Sequence, residues 1–447
     1  MKKALLLFIS SLTTVLALEP NPNIVFILAD DLGYGDIACY GCPDAKTPNI
    51  DRLAAEGVKF TNFYANGPEC TPTRTAIMTG RYPQFAGGLE CAIGTGNVGR
   101  YDDAIRLAQQ SQLGLPVKQA VIPRVFTKAG YATGIFGKWH LGYEPHFNPL
   151  KYGWDKFFGC LGGNVDYFTH KELSELPVLF KNDKPVERKG YMTHLITDEA
   201  LQFIKENQKQ PFFCYIPFTT PHFPFQTPAD KDKKFTRENW TAGSRESYVA
   251  MLEDLDNAVG QILGSIESLN LGKNTLVIFA SDHGAMKPGR NLPWNGFKGG
   301  LFEGGIRAPL IARWPGKIKP GTLCRQLGAT FDLTASFARI TGSQLPPRKL
   351  DGIDLLACAE KELKPVARNL YWRAKRGDRT WWATLSNDGS ATRKYIRKRE
   401  GGDVQEWLFN ITEDPGESKN LFALPGNYGH KLKQQLATWE TRVKPLR

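Results

Sequence analysis

Two short apolar runs limit what this chain can fold into more than any other feature. Asn23 to Ala29 is rich in β-branched and aromatic residues and lacks polar alternation, which predicts a strand buried on both faces. Thr275 to Ala280 repeats the design. Strands of that kind need helices above and below them, so the expected fold is α/β, with a large mixed, mainly parallel sheet between helices. The runs lead into Asp30-Asp31 and Ser281-Asp282-His283-Gly284, and ligands in open α/β sheets gather at the carboxyl ends of the strands. One acidic pair alone is an ordinary turn or helix start. Adjacent carboxylates after a buried strand, with a second acidic cluster after another, point to a hard cation.

Further segments end in chemistry of the same kind. Tyr131 to Phe136 leads into Gly137-Lys138-Trp139-His140-Leu141-Gly142, and Phe212 to Phe218 leads into Thr219-Thr220-Pro221-His222. Lys298 lies in the glycine-rich loop Gly296 to Gly305. The most specific stretch is Cys70-Thr71-Pro72-Thr73-Arg74, followed by Thr79-Gly80. A free cysteine is ordinarily a small buried hydrophobe. Here Pro72 fixes a backbone dihedral and Thr73 to Met78 can begin a helix, which puts residue 70 at a helix N-terminus, where unpaired N–H groups attract anions. Arg74 adds positive charge one turn later.

The cysteine run, with the other segments in this order, resembles the type I sulfatases of the alkaline-phosphatase-like superfamily, from about Asn23 to Leu421. That resemblance implies conversion of Cys70 to formylglycine (3-oxoalanine) by a maturation enzyme of the host. It implies one divalent cation, Ca²⁺ or another such as Mg²⁺, held by Asp30, Asp31, Asp282 and the modified Cys70. Most of the family has asparagine where His283 stands, so either its imidazole ligates the metal or another oxygen does; imidazole also suits Zn²⁺, the metal of related phosphoesterases. By the same resemblance a hydrate hydroxyl on residue 70 attacks sulfur while Lys138 and Lys298 neutralise the sulfate oxygens and Arg74 holds the hydrate. His222, helped by Lys298, protonates the leaving oxygen, and His140 takes the remaining hydroxyl proton, regenerating the aldehyde.

The implied activity is sulfuric ester hydrolysis, with a sulfated carbohydrate as the expected substrate. Phosphoester hydrolysis on the same fold, or an inactive exported carbohydrate-binding protein, are the alternatives. Glu90, Asp166, His170 and Trp294 lie in loops near catalytic segments and are the candidate substrate contacts. Asn295 stands where glycosaminoglycan sulfatases usually carry an arginine, three residues before the lysine, which loosens any inference to one sugar.

The chain has 447 residues, long for one core. Residues 1–17 read as a secretory signal peptide, with Lys2-Lys3, an apolar stretch and Val15-Leu16-Ala17. The resemblance implies a catalytic domain over residues 18–350 and, over 351–447, a smaller α+β subdomain with an antiparallel sheet and a helix. Export to the periplasm or beyond follows, with no membrane span. Without Cys70, the remaining seven of eight cysteines cannot all pair within the chain, and Cys39 and Cys42 suggest a turn or local disulfide.

A formal charge of +12 suits an anionic substrate. The richest strip, Arg373 to Arg399, holds nine basic residues with Trp372, Trp381 and Trp382 close by. It reads either as a surface for sugars, the aromatic faces stacking on rings, or as solvated edge strands guarded by charge. No base-reading motif accompanies it, so nucleic acid is not expected as a partner. Thr47-Pro48 predicts a helix to Glu56, and Ser247 to Leu269 predicts a long helix that covers the sheet.

Overall fold

The computed structural model describes residues 21–94, 101–173, 178–343, 349–424 and 428–446. The expected leader, residues 1–17, lies outside them. A ten-stranded sheet forms the centre. Its middle is parallel: Thr275–Ser281, Asn23–Ala29, Phe212–Pro217, Ala132–Lys138 and Lys156–Cys160 run side by side in that order. Antiparallel strands Leu310–Arg313 and Leu179–Lys181 flank that block.

The first strand shows why the sheet sits inside. Ile24, Phe26 and Leu28 enter one core with Ile77, Met78, Phe126 and Phe337; Val25, Ile27 and Ala29 enter another with Ile50, Ile196, Leu255 and Val259. Side chains alternate across a strand, so with helices on both faces every position from Ile24 to Ala29 is apolar. The long helix spans Arg245–Ser268 and is capped by Ser244, whose hydroxyl accepts the Ser247 N–H. The predicted helix after Thr47 spans Pro48–Ala55, but Thr47 Oγ1 accepts the Ala38 N–H instead of capping. One glycine is fixed by close approach: Gly137 has φ 131°, and a Cβ there would meet the Pro217 carbonyl oxygen at 2.0 Å.

A second sheet of four antiparallel strands, Arg368–Arg376, Arg379–Asn387, Thr392–Glu400 and Asp403–Asn410, packs on helix Tyr428–Arg442. Its core also takes in Tyr64, Ala76, Leu301 and Ile306 from the segments around the large sheet. Trp372, Trp381 and Trp382 are buried there, so the basic strip offers no aromatic faces for sugar stacking. Pro72 and Thr73 do begin a helix, but its first residue is Cys70 itself, and it runs to Thr79. All eight cysteines are free, and Cys42 Sγ contacts Asp44 and Arg245 rather than Cys39.

Candidate active site

Four parallel strands deliver the site. Asp30 and Asp31 follow the strand Asn23–Ala29, Lys138 ends Ala132–Lys138 with His140 two residues on, His222 follows Phe212–Pro217, and Asp282 and His283 follow Thr275–Ser281. Cys70 arrives from the side, at the first position of its helix, and is buried. Asp31 and His140 adopt left-handed backbone conformations, φ 63° and 56°. Such conformations are costly for non-glycine residues and cluster at functional sites.

Cys70 Sγ is the meeting point. It lies 3.3 Å from Lys138 Nζ, 3.3 Å from His283 Nε2, 3.5 Å from Asp30 Oδ1 and 3.8 Å from Lys298 Nζ. Burial pushes the thiol's pKa up, yet Lys138, Lys298 and His283 together outweigh it and hold it well below the usual thiol range. Each lysine is anchored by an aspartate. Lys138 Nζ sits 2.6 Å from Asp30 Oδ2, and Lys298 Nζ 2.8 and 2.9 Å from the two Asp31 oxygens. Arg74 donates to the Lys138 carbonyl at 2.8 Å and to Asp282 Oδ2 at 3.3 Å.

His140 and His222, two of the histidines near residue 70, are fixed as different tautomers. His140 donates from Nε2 to the Ile93 carbonyl at 2.6 Å, leaving Nδ1 a buried acceptor without a hydrogen-bond partner among the described residues. Burial first, then the charge of Lys138, holds its pKa below the ordinary imidazole value, so Nδ1 is a free base at neutral pH. His222 donates from Nδ1 to the Phe223 carbonyl at 2.8 Å, and Lys298 donates to its Nε2 at 3.2 Å.

The donor set fits a divalent cation. Ligand atoms of Asp30, Cys70, Asp282 and His283 lie within 4.8 Å of one another, all buried, with Asp31 beside them. Three buried carboxylates so placed suit a cation, although Lys138 and Lys298 already pair with Asp30 and Asp31. Burial, opposed by His283 but reinforced by Asp30 and Cys70, lifts the Asp282 carboxyl well above its usual range. His283 donates from Nδ1 to the Gly284 carbonyl at 2.9 Å, which aims Nε2 at the cluster, 3.4 Å from Asp31 Oδ1 and 3.5 Å from Asp282 Oδ1. Burial works against its charge, yet Asp282 and Cys70 raise its pKa to about 10, so a proton stands where a metal would compete.

A cavity of about 640 Å³ opens over Cys70, His140, His222 and Lys298. The four expected substrate contacts do not line it. Glu90 is held by Arg373, with two contacts of 2.8 Å. Asp166 Oδ1 accepts the backbone N–H groups of Phe168 and Thr169 and so fixes a turn. His170 is tied to the Gly190 carbonyl, and Trp294 is covered by Arg307, 3.8 Å above its ring, and by Tyr34 at its edge. Each of the four is held by the partner just named, although neighbours in the same loops, among them Ala92, Asn164 and Lys298, do line the cavity. The walls are instead Glu69, Tyr143, Glu172, Arg237, Arg376 and Arg379, among others. Two of these, Arg376 and Arg379, belong to the basic strip, whose charges rather than its tryptophans reach the cavity.

The sulfatase family model matches residues 22–343. The N-acetylgalactosamine-6-sulfatase of Mus musculus is 36% identical across 79% of this chain and 69% of its own length, and arylsulfatase A of Homo sapiens is 34% identical across 92% and 85%. Across five mammalian N-acetylgalactosamine-6-sulfatases the chain spans about two thirds of the relatives' length, 65–69%. The solved structure of Ps i-CgsB, 28% identical, superposes with a TM-score of 0.79 over 94% of this chain and 92% of that one. With that match over most of its length, the chain belongs to the sulfatase family and is a sulfuric ester hydrolase.

Proposed function

We propose that this enzyme releases sulfate from sulfated carbohydrates through residue 70, converted from cysteine to formylglycine by a maturation enzyme of the host. One divalent cation, Ca²⁺ by the oxygen-rich donor set, is held by Asp30, Asp31, Asp282, His283 and residue 70. The supporting observation is the convergence of Lys138, Lys298, His283 and Asp30 on the side chain of residue 70 at a helix N-terminus. When present, the hydrated aldehyde supplies the attacking hydroxyl and the cation neutralises sulfate oxygens.

The chain's own residues do the rest. Lys138 and Lys298 bring positive charge to the same oxygens from a dry, preorganised cluster. Lys298 and His222 act as a pair that gives the leaving oxygen its proton, since Lys298 donates into Nε2 from 3.2 Å. His140, with Nδ1 free as a base, takes the second proton from residue 70. Arg74 braces Lys138 and Asp282 from behind.

Carbohydrate as substrate is supported by the relatives. Five mammalian relatives at 34–36% identity act, by name, on N-acetylgalactosamine 6-sulfate, and Ps i-CgsB has a structure with k-i-k-neocarrahexaose bound. Residues 18–350 carry the catalytic machinery and 351–447 the smaller subdomain, in a protein exported to the periplasm or beyond. No helix among the described residues is long and apolar enough to cross a membrane. The test is sulfate release, measured by ion chromatography, from a panel of sulfated saccharides by protein made with its maturation enzyme. The expected result is release that Cys70→Ala abolishes. Release from aryl sulfates alone would remove carbohydrate from the account.

A further inference from the structure

The cations in and beneath the cavity fall into two groups, and the protein neutralises one of them far more closely than the other. Lys138 and Lys298 are each paired with an aspartate of the metal cluster. Arg376 and Arg379 lie in the same cavity as Cys70; Arg376 forms only a long ion pair, its Nε 3.7 Å from Glu69 Oε1 and without a hydrogen-bond partner, and Arg379 forms no ion pair among the described residues. The Arg376 side chain is 36% exposed.

These two arginines face each other directly across the hairpin joining Arg368–Arg376 to Arg379–Asn387. Like charges directly opposite on paired strands destabilise them. Asp378, in the turn between them, is exposed and forms no ion pair with either among the described residues. The pairing therefore works against folding, and Arg237, exposed on the same cavity, adds a third guanidinium. A cavity of about 640 Å³ is in the range that holds whole small-molecule ligands, with room beyond the reacting sulfate.

We propose that Arg376 and Arg379, with Arg237, form a second anion site, which selects saccharides carrying another anionic group, sulfate or carboxylate, beyond the sulfate that is cleaved. The guanidinium fork suits both groups. This rests on the carbohydrate reading above and makes the substrate polyanionic.

The experiment takes the best sugar from the saccharide panel in three forms: with the scissile sulfate alone, with a second sulfate, and linked to a uronic acid. Wild type and Arg376→Gln/Arg379→Gln are compared by the ratio of kcat/KM between each doubly charged form and the singly charged one. The expected ratio in wild type is about 10 to 100, from one or two charge-assisted hydrogen bonds, falling to near 1 in the variant. Whichever doubly charged form shows the preference names the second anion. The exposed single variant Arg237→Gln guards against misfolding and should lower the ratio in part. In wild type the ratio should also shrink as salt rises from low to physiological concentration. Equal kcat/KM on all three forms, unchanged by substitution or salt, overturns this inference and leaves the sulfatase reading intact. No release from any saccharide while an aryl sulfate is cleaved overturns both this inference and the carbohydrate reading it rests on.

Discussion

His140 and His222 are both imidazoles beside residue 70, and their hydrogen bonds set them opposite tasks. The Ile93 carbonyl takes the Nε2 proton of His140 and leaves Nδ1 as a base; Lys298 donates into Nε2 of His222 and makes that pair a source of protons. His222→Ala should lower kcat on a sugar sulfate by about 10² to 10⁴, the usual worth of general acid catalysis, and much less on 4-nitrophenyl sulfate, whose leaving group needs no proton. Equal losses on both would remove His222 from that role. His140 has its pKa depressed by burial and by Lys138, and it works as the free base. Activity governed by it is therefore present above that lowered value and lost as pH falls through it. The acid limb of kcat should fall below pH 6.5, the unperturbed imidazole value, and should disappear in His140→Asn along with most of the rate.

At the scale of elements, the second sheet is locked to the large one by a buried cluster. Lys394 Nζ lies 2.9 Å from Glu303 Oε1 and 3.1 Å from Glu417 Oε1, all three side chains fully buried. Two carboxylates share one lysine, though Arg307 also pairs with Glu303 at 2.8 Å. Burial, only partly offset by Lys394, raises the Glu417 carboxyl from 4.5 to about 7. A raised acid favours the folded state in its protonated form. Its contribution is complete below pH 4.5 and lost as pH rises through 7. Unfolding free energy should fall by about 1 to 3 kcal/mol across that window, since a tenfold change in proton affinity is worth about 1.4 kcal/mol; the lowered pKa of Glu303 acts below pH 4.5 and leaves this window to Glu417. Urea melts at pH 5 and pH 7.5 would measure this, and Glu417→Gln should flatten the difference. Lys394→Met, which takes the lysine from Glu417 while Glu303 keeps Arg307, should cost roughly 3 to 5 kcal/mol.

Over the whole molecule, how much the sequence reveals depends on how local the signal is. The parallel sheet is legible because strands buried on both faces must be apolar through their length, as residues 24–29 and 276–280 are. The side chains around Cys70 are legible because all but Lys298, which comes from its glycine-rich loop, and Arg74, on the helix of Cys70, lie within a few residues of a strand's carboxyl end. Glu90, Asp166, His170 and Trp294 were not, because a loop residue's direction depends on distant partners such as Arg373 and Arg307. Trp372, Trp381 and Trp382 look like a surface strip in sequence and become core once helix Tyr428–Arg442 packs on their sheet. Arg376 and Arg379 reach the cavity from some 300 residues beyond Cys70, a juxtaposition no local pattern announces.

The metal cluster is likewise a property of the assembled sheet. Its three buried aspartates should make the fold depend on the cation: at 100 times Kd, binding adds about 2.7 kcal/mol to stability. Chelation with EDTA should lower Tm, added Ca²⁺ should restore it, and Asp282→Asn should blunt the response. A Tm indifferent to chelator in wild type would count against the cluster as a metal site.

The central claim is that residue 70 is the reacting group, and the most direct test is the mass of the peptide that contains it, taken from protein made in its native host. The account predicts a peptide lighter than the cysteine form by the change from thiol to aldehyde, in protein that releases sulfate. An unmodified thiol in protein that releases sulfate at full rate would contradict it.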